Sequence, residues 1–436
     1  NTTAHYGVAV GHGALKLNTT GTSNTAVGQA SISENTTGGY NSGLGRRSLM
    51  RVSTGSNNTA LGYNGLSATT TGSNNVSVGS QTMEANTTGS SNVAVGLQAL
   101  NSNTTASNNV AVGRGALEQN TTGTDNTALG SYSLDANTTG DYNVAVGMHS
   151  MASSTTGSYN TAVGRGALNE NSTADNNTAL GAYSLFANTT GANNTAVGVS
   201  SLDANTTGNQ NTAVGKHALG ANTTGPNNTG VGDRSLSVNT TGGRNTAIGG
   251  VSAGNTTTGA DNTALGYNSL GSNTDGNYNV GVGSFCLDAS TSASNNTAVG
   301  FTAASALTTG DNSVAVGRYA LRKCTTGSGN VAVGLNSLQE TTTASNNVAV
   351  GTQALNDNTT GSFNAVLGYQ AMLENTTGEQ NVAIGNQALY NNETANYNIA
   401  IGSNALLRNT TGASNVAVGY LALDHNTTAN DNTAVG

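Results

Sequence analysis

The stretch Asn18–Gly28, NTTGTSNTAVG, returns with small changes along the whole chain. It recurs as NTTGGYNSGLG at 35–45 and as NTTGSSNVAVG at 86–96. Its closing glycine is repeated every 17 residues from Gly11 to Gly436, with no insertion or deletion. A disordered low-complexity segment has no reason to keep such a register, whereas a solenoid must keep it because each turn stacks on the previous one.

The amino-acid composition limits the classes of protein to which this chain can belong. The 436 residues are 8% charged and 4% aromatic, with no tryptophan and a net charge of −8. Charges of both signs are scattered, which disfavours a nucleic-acid partner. No apolar stretch reaches the length of a membrane span and no signal peptide is evident, so we expect no membrane insertion in this segment. We expect one continuous solenoid domain over 1–436, with 25 complete repeats after a partial first one, as an excerpt of a longer fibre.

The repeat predicts short strands when its positions are numbered 1 to 17, with the register glycine at 17. Position 16 is always Val, Leu or Ile, position 14 is mostly β-branched, and position 15 is mostly Ala. This alternation predicts a strand with positions 14 and 16 on one side and position 15 on the other. Position 4, which is Leu, Met or Ile in 23 of 25 turns, predicts a second strand over positions 2–5. Positions 7–10, Asn-Thr-Thr-Gly, predict a turn or a third strand.

Two columns of large apolar residues, at positions 4 and 16, are expected to face each other as the core. Asparagine fills position 13 in every complete turn except the one with Ser313, which predicts a hydrogen-bonded amide ladder. The glycine at position 17 predicts a corner with positive φ or a close backbone approach. The candidate ladder residues are Asn24, Asn109, Asn228, Val27, Val112, Val231, Gly28, Gly113, Gly232, Leu100 and Leu219.

Position 3 is small in every turn and position 15 is nearly always Ala, on the side where a solvated face would tolerate Lys, Glu or Gln, none of which occurs there. We expect another chain to approach there, most simply in a trimer of parallel solenoids. The alternative is a single solenoid whose backbone turns inward at these positions.

Catalytic and metal-binding patterns are lacking. The five histidines are dispersed, no phosphate-binding loop follows a strand, and the aspartates are too irregular for calcium-binding repeats. We interpret the acidic residues as not lining up in columns. An enzyme that depends on clustered carboxylates is therefore the least favoured of the function classes considered. We expect no enzyme activity, cofactor or metal. Cys286 and Cys324 lie 38 residues apart, about 10 Å in a stack with ~4.8 Å per turn, so two free thiols are expected.

Asparagine at position 7 begins an N-glycosylation sequence, Asn-Thr-Thr. The period alone produces this sequence, but a secreted chain could carry a sugar on every turn. Threonines at positions 8 and 9 can present at most one outward column, which leaves ice binding as a minor alternative. The possible glycosylation sites are Asn18, Asn35, Asn86, Asn188 and Asn409.

Tyrosine and phenylalanine occur only at positions 1, 2, 5 and 12, with most of the charged residues nearby. These positions are expected to form outer rims. A solvated surface explains most of them, and shallow carbohydrate or receptor contacts are the alternative.

The pattern N-[TV]-A-[VI]-G-x-x-[AS]-L, as in Asn211–Leu219 and Asn381–Leu389, resembles the head repeats of YadA-type trimeric autotransporter adhesins. It is also similar to repeat shafts of phage tail-fibre-like proteins. The resemblance implies a left-handed parallel β-roll that trimerises and attaches to host surfaces. The 17-residue period exceeds that of the usual adhesin repeat, and Asn-Thr-Thr-Gly fills the difference.

The sequence therefore predicts an extracellular structural fibre or adhesin shaft, on a cell surface or a virion appendage. At ~4.8 Å per turn, 25 turns would give a rod of roughly 120 Å. It would self-associate as a homotrimer or filament and bind carbohydrate or another cell-surface ligand through its rims. The alternatives are a glycan- or ice-binding solenoid and a glycosylated monomeric filament.

Overall fold

The structure is a computed structural model that describes residues 3–436, and its fold is a parallel β-solenoid. Each 17-residue turn contributes one three-residue strand at positions 14–16, and the described residues contain no helix. The chain divides into two compact units, Asn1–His217 and Ala218–Gly436. The expectation of one continuous domain, and the left-handedness implied by the resemblance, stay predictions.

The strands of the first unit are β1 (Val8–Val10), β2 (Thr25–Val27), β3 (Ser42–Leu44), β4 (Thr59–Leu61), β5 (Val76–Val78), β6 (Val93–Val95), β7 (Val110–Val112), β8 (Thr127–Leu129), β9 (Val144–Val146), β10 (Thr161–Val163), β11 (Thr178–Leu180), β12 (Thr195–Val197) and β13 (Thr212–Val214). Those of the second are β14 (Thr229–Val231), β15 (Thr246–Ile248), β16 (Thr263–Leu265), β17 (Val280–Val282), β18 (Thr297–Val299), β19 (Val314–Val316), β20 (Val331–Val333), β21 (Val348–Val350), β22 (Ala365–Leu367), β23 (Val382–Ile384), β24 (Ile399–Ile401), β25 (Val416–Val418) and β26 (Thr433–Val435).

Within each unit, consecutive strands pair in parallel with no register shift. In the first unit Val93 pairs with Val110, and in the second Thr246 pairs with Thr263. Equivalent residues of neighbouring turns therefore lie one above another, which confirms the stacking that the period predicts.

The predicted second strand at positions 2–5 is wrong, because this segment is a turn. Its residues at positions 2 and 4 have left-handed backbone angles, as at Gln98 (φ 59°) and Leu100 (φ 54°). A strand needs negative φ, so the segment curls instead of extending. It is still bonded to its neighbours, since the Leu100 N–H donates to the Ala116 carbonyl at 2.9 Å. Of the two alternatives for positions 7–10, the turn is right.

The predicted orientation of the strand is also wrong. Position 15 faces inward, with Ala94 and Ala111 fully buried, while positions 14 and 16 face outward. Leu129 at position 16 is 47% exposed, and Val112 is half-buried. The core consists of the fully buried column at position 4, including Leu100, packed beside small residues.

Small residues occur at positions 3 and 15 because the strand and the turn approach each other inside one chain. A methyl group added to Gly43, at position 15, would lie 2.6 Å from the Ser31 hydroxyl and 2.9 Å from the Ser48 hydroxyl. The alternative of a single solenoid with an inward-turning backbone is therefore correct for these columns. The inference that a partner chain approaches at positions 3 and 15 is wrong.

The glycine at position 17 serves both purposes that the sequence suggested. Gly28 has φ 133° and Gly113 has φ 140°, which side chains of L-residues rarely allow. A methyl group on Gly113 would also lie 2.3 Å from the Gly130 carbonyl oxygen in the next turn. The backbone angle therefore excludes a larger residue, and the close stacking of the turns leaves little space for one.

We expect Gly113→Ala to open the turns on both sides of it. Forced positive φ costs about 1–3 kcal/mol. Hydrogen exchange of the amides in the neighbouring turns measures the loss. The matched control is Gly89→Ala at position 10, where a methyl group would lie equally close to the next turn, 2.2 Å from the Ala106 carbonyl oxygen, but φ is not positive and the chain itself carries alanine in six turns. The comparison therefore isolates the backbone angle. Equal loss of protection in both variants would contradict the role given to position 17.

Candidate functional site: amide ladders, an outer face and the rims

The asparagine ladder at position 13 is confirmed. The buried Asn109 side chain bonds the next turn at both ends: its Nδ2 donates to the Gly123 carbonyl at 2.9 Å, and its Oδ1 accepts from the Asn126 N–H at 3.0 Å. Asn24 and Asn228 make the same Nδ2 contact, to Gly38 and Gly242, both at 2.8 Å. Each amide thus satisfies buried backbone groups that water cannot reach.

A second buried amide column lies at position 7. The Asn35 Nδ2 donates to Asn18 Oδ1 at 2.6 Å and to the Gly38 carbonyl at 2.9 Å. The column stops wherever the next turn lacks asparagine. Asn137 is followed by Ser154, and both Asn137 Oδ1 and Ser154 Oγ are buried without a partner. An interrupted ladder therefore leaves an orphan acceptor at the break.

Hydroxyl groups provide further bonds between turns that the sequence interpretation missed. The Thr104 Oγ1 at position 8 donates to the Thr121 carbonyl of the next turn at 3.1 Å. The Ser133 Oγ at position 3 instead makes a local bond, to the Gly130 carbonyl three residues earlier at 2.9 Å. The near-invariance of Thr or Ser at position 8 was the available signal.

Position 9 is the outward threonine column. It holds threonine in 23 of 25 complete turns and is exposed in all of them. Only one column faces outward, as the alternation predicts. A single row gives an ice lattice few contacts, so ice binding remains the minor alternative.

Positions 14 and 16 form what we call the outer face of each unit. Position 16 is always Val, Leu or Ile, whereas position 14 is Thr or Ser in 13 of 25 complete turns and apolar in the others. Leu180 is 47% exposed, and the ladder residues Val27, Val112 and Val231 are half-buried here rather than in the core. No turn places a charged residue at either position. Exposed positions normally accept charge, so this exclusion distinguishes the outer face from the charged rims.

Three carboxylates do line up, contrary to the interpretation of the acidic residues. Glu340, Asp357 and Glu374 occupy position 6 of three successive turns, and Lys323 of the preceding turn pairs with Glu340. Burial and then Glu340 raise the pKa of Asp357, while burial, Asp357 and Glu393 raise that of Glu374. Raised folded-state pKa values mean that stability is lost as pH rises from the ordinary carboxyl range through these values.

Residues 3–436 give no support for a metal site or for a redox-active thiol. No group of three or more His, Cys, Asp or Glu could hold a metal ion there. Cys286 and Cys324 are free and buried, as expected. Burial raises the pKa of both thiols, that of Cys324 to about 11, so little reactive thiolate forms at neutral pH.

The rims carry the aromatic side chains at the surface. Tyr142 and Tyr159 stack with ring centroids 5.0 Å apart, and Tyr132 stacks on His149 at 5.4 Å. Arginines cover some of these rings, as Arg114 does over Tyr132 at 5.5 Å. Aromatic and arginine side chains at the rims thus contact rings of the turn above or below.

No protein-family model matches this chain, and no curated protein matches it. The resemblance to adhesin head repeats accordingly stands as a proposal. In the part of the chain that the structure describes, no helix has the length and apolar character needed to cross a bilayer.

The five predicted glycosylation sites lie in the column at position 7. All are buried, and their Nδ2 atoms donate inside the fold, as from Asn188 to the Gly191 carbonyl at 2.8 Å and from Asn409 to the Gly412 carbonyl at 2.9 Å. A sugar on Nδ2 would need space and a nitrogen that the folded chain does not offer. The geometry argues against a glycan coat on Asn18, Asn35, Asn86, Asn188 and Asn409.

We expect folded protein from a glycosylating host to carry no sugar on Asn86. Asn57 is the internal control, because it starts the sequence Asn57–Thr59 at position 12 and is exposed. Peptide mass mapping of the protease-resistant fraction, before and after deglycosylation, compares the two sites. Sugar on Asn86 in folded, protease-resistant protein would refute the burial argument.

We expect Ser154→Asn to stabilise the chain by repairing the ladder. The new amide would donate to Asn137 Oδ1 and to the Gly157 carbonyl, a gain of about 1 kcal/mol. Hydrogen exchange of the turns around residue 154 measures it. The control is Ser153→Asn at position 6, where asparagine occurs naturally as Asn391 and reaches no ladder. Unchanged or weaker protection in Ser154→Asn would show that the orphan atoms are satisfied in another way.

Proposed function

We propose that the chain is a structural, extracellular fibre or adhesin shaft that associates with copies of itself. The exposed, uncharged outer face carries this proposal. All-parallel sheets normally have both faces covered. Here one side of every strand packs on the core, while the other carries exposed or half-buried Val, Leu or Ile at position 16 and a mixture of Thr and Val at position 14. The most economical cover for a face repeated along the chain is the same face of another copy.

A mechanical role fits the distribution of the stabilising contacts. The amide, hydroxyl and backbone bonds recur in each turn, so stability is spread evenly along the repeats and no turn is reserved for chemistry. We accordingly assign no catalytic role. Trimeric assembly, location on a cell surface or virion appendage, and surface attachment through the rims follow from the resemblance to YadA-type repeats and are part of the proposal.

We expect the purified chain to have a solution mass of about three times its 43.1 kDa. The double variant Leu129→Lys/Leu180→Lys puts charges on the outer face and should reduce the mass to that of one chain. Light scattering after size exclusion gives both masses.

The matched control is Ala136→Lys/Ala187→Lys, which adds the same charges at position 6, where the chain already carries Lys323 and Arg408. Its mass should equal that of the unmodified protein. A monomeric unmodified chain would refute self-association, and a dimer would refute the trimer alone.

A further inference from the structure

One rim of the second unit carries an unbroken row of four aromatic rings on successive turns. Ring centroids are 5.3 Å apart from Tyr267 to Phe285, 6.3 Å to Phe301, and 5.9 Å from there to Tyr319. We call these four residues the aromatic strip. Among the other described residues, ring contacts join at most two turns.

Neighbouring rings of the strip are nearly perpendicular, at 72°, 87° and 69°. Tyr267 and Phe301, both at position 1, are 55% and 45% exposed, whereas Phe285 and Tyr319 at position 2 are half-buried. The two exposed rings lie two turns apart, roughly 10 Å at ~4.8 Å per turn. The strip thus presents two exposed rings separated by one two-turn spacing.

Two guanidinium groups converge at one end of the strip. The Arg318 Cζ lies 4.5 Å and the Arg322 Cζ 5.0 Å from the Tyr319 ring centroid, and Arg318 also donates to the Tyr319 hydroxyl at 3.0 Å. That hydrogen bond lowers the pKa of Tyr319, as expected in a positive environment. Neither arginine pairs with a carboxylate in the described residues, whereas the adjacent Lys323 pairs with Glu340.

Unpaired, adjacent guanidinium groups repel each other, and most of their donors are left for an anion. Elsewhere a single arginine covers a rim ring, as Arg165 covers Tyr183 at 5.6 Å. Among the rings that the structure describes, only Tyr319 has two guanidinium groups over it.

The same turns depart most from the repeat inside the fold. Position 7 holds Ser290, Leu307, Cys324 and Thr341 in succession in place of asparagine, and position 13 holds Ser313. The buried asparagine column at position 7 is thus interrupted in the stretch that carries the aromatic strip. Local rules of a fold are most often relaxed where a segment has a task besides stability.

We propose that the aromatic strip, with Arg318 and Arg322, binds an extended acidic polysaccharide lying along the solenoid. The C–H faces of its sugars pack on the exposed rings of Tyr267 and Phe301, since the electron-rich ring face attracts weakly positive C–H groups. A carboxylate or sulfate of the polysaccharide is held by the two guanidinium groups. The proposal rests on the proposed surface-attachment role and names the class of ligand for it.

Carbohydrate fits better than a nucleic acid or a protein segment. A nucleic acid carries a phosphate at every nucleotide and binds along grooves lined with Lys and Arg, whereas here the two guanidinium groups lie at one end of the strip only. An extended peptide adds to the edge of a sheet, whereas the strip lies on side chains of a rim turn. A surface row of stacking platforms with charge at one end suits a stiff, regularly repeating, acidic chain.

The test measures binding of the full-length protein, in its purified oligomeric state, to three probes by calorimetry. Oligogalacturonate carries carboxylates, heparin oligosaccharide carries sulfates, and cellohexaose is neutral. We expect binding to at least one acidic probe and none to cellohexaose. Binding to the first alone identifies the group as a carboxylate, and binding to the second alone as a sulfate.

Two variants address the two halves of the site. Arg318→Gln/Arg322→Gln and Tyr267→Ser/Phe301→Ser should each weaken binding at least tenfold. The control, Arg165→Gln/Tyr183→Ser, removes a rim pair of the same kind and should leave affinity unchanged. All altered side chains lie at rim positions, and circular dichroism checks that the solenoid is retained.

Several results would overturn the proposal. These are no binding to either acidic probe, equal binding of cellohexaose, and a tenfold loss in the control variant. A trimer that binds no acidic probe would refute this inference alone, whereas a monomer that binds one would refute the proposed assembly and leave the strip as a glycan site.

Discussion

The structure depends on one constraint, that equivalent atoms of neighbouring turns are in hydrogen-bonding register. The position-17 glycines show how tight this register is, since a methyl group on Gly113 would meet the Gly130 carbonyl at 2.3 Å. At this separation a side chain that is both donor and acceptor can bond to its copies above and below. Asparagine meets the requirement, and both amide columns consist of it. A protein almost without aromatic residues can therefore have an ordered interior.

The amide columns also change what the core must contain. In an ordinary domain the interior is apolar because buried polar groups lack partners. Here Asn109 finds its partners in the next turn at 2.9 and 3.0 Å, so burial carries little penalty and the apolar part can be narrow. The orphan atoms at Asn137 and Ser154 show the reverse, because one missing amide leaves two buried groups without partners.

The sequence was sufficient for some features and insufficient for others. The period determined the register, and invariance predicted the roles of Asn109 and Gly113. The sequence could not determine which side of the strand faces inward. The alternation of side chains defines two sides, and neither side carries a charged residue. The orientation of the strand depends on the size of its side chains rather than on their hydrophobicity, since the space around Gly43 admits only small groups. The turn at positions 2–5 was missed because leucine is a poor residue for positive φ, and its φ of 54° at Leu100 follows from stacking, not from local preference.

Because positions 14 and 16 face outward and positions 3 and 15 face inward, self-association has to be inferred from positions 14 and 16. Absence of charge at positions 3 and 15 follows from the packing inside one chain and needs no partner. Absence of charge at positions 14 and 16 has no such internal reason, because Leu129 and Leu180 are about half exposed. The rims beside this face hold nearly all of the charges, so the chain does carry charged residues at its surface. The exclusion of charge from this exposed column in every repeat is therefore the observation on which the proposed self-association rests, with the same face of another copy as the proposed cover.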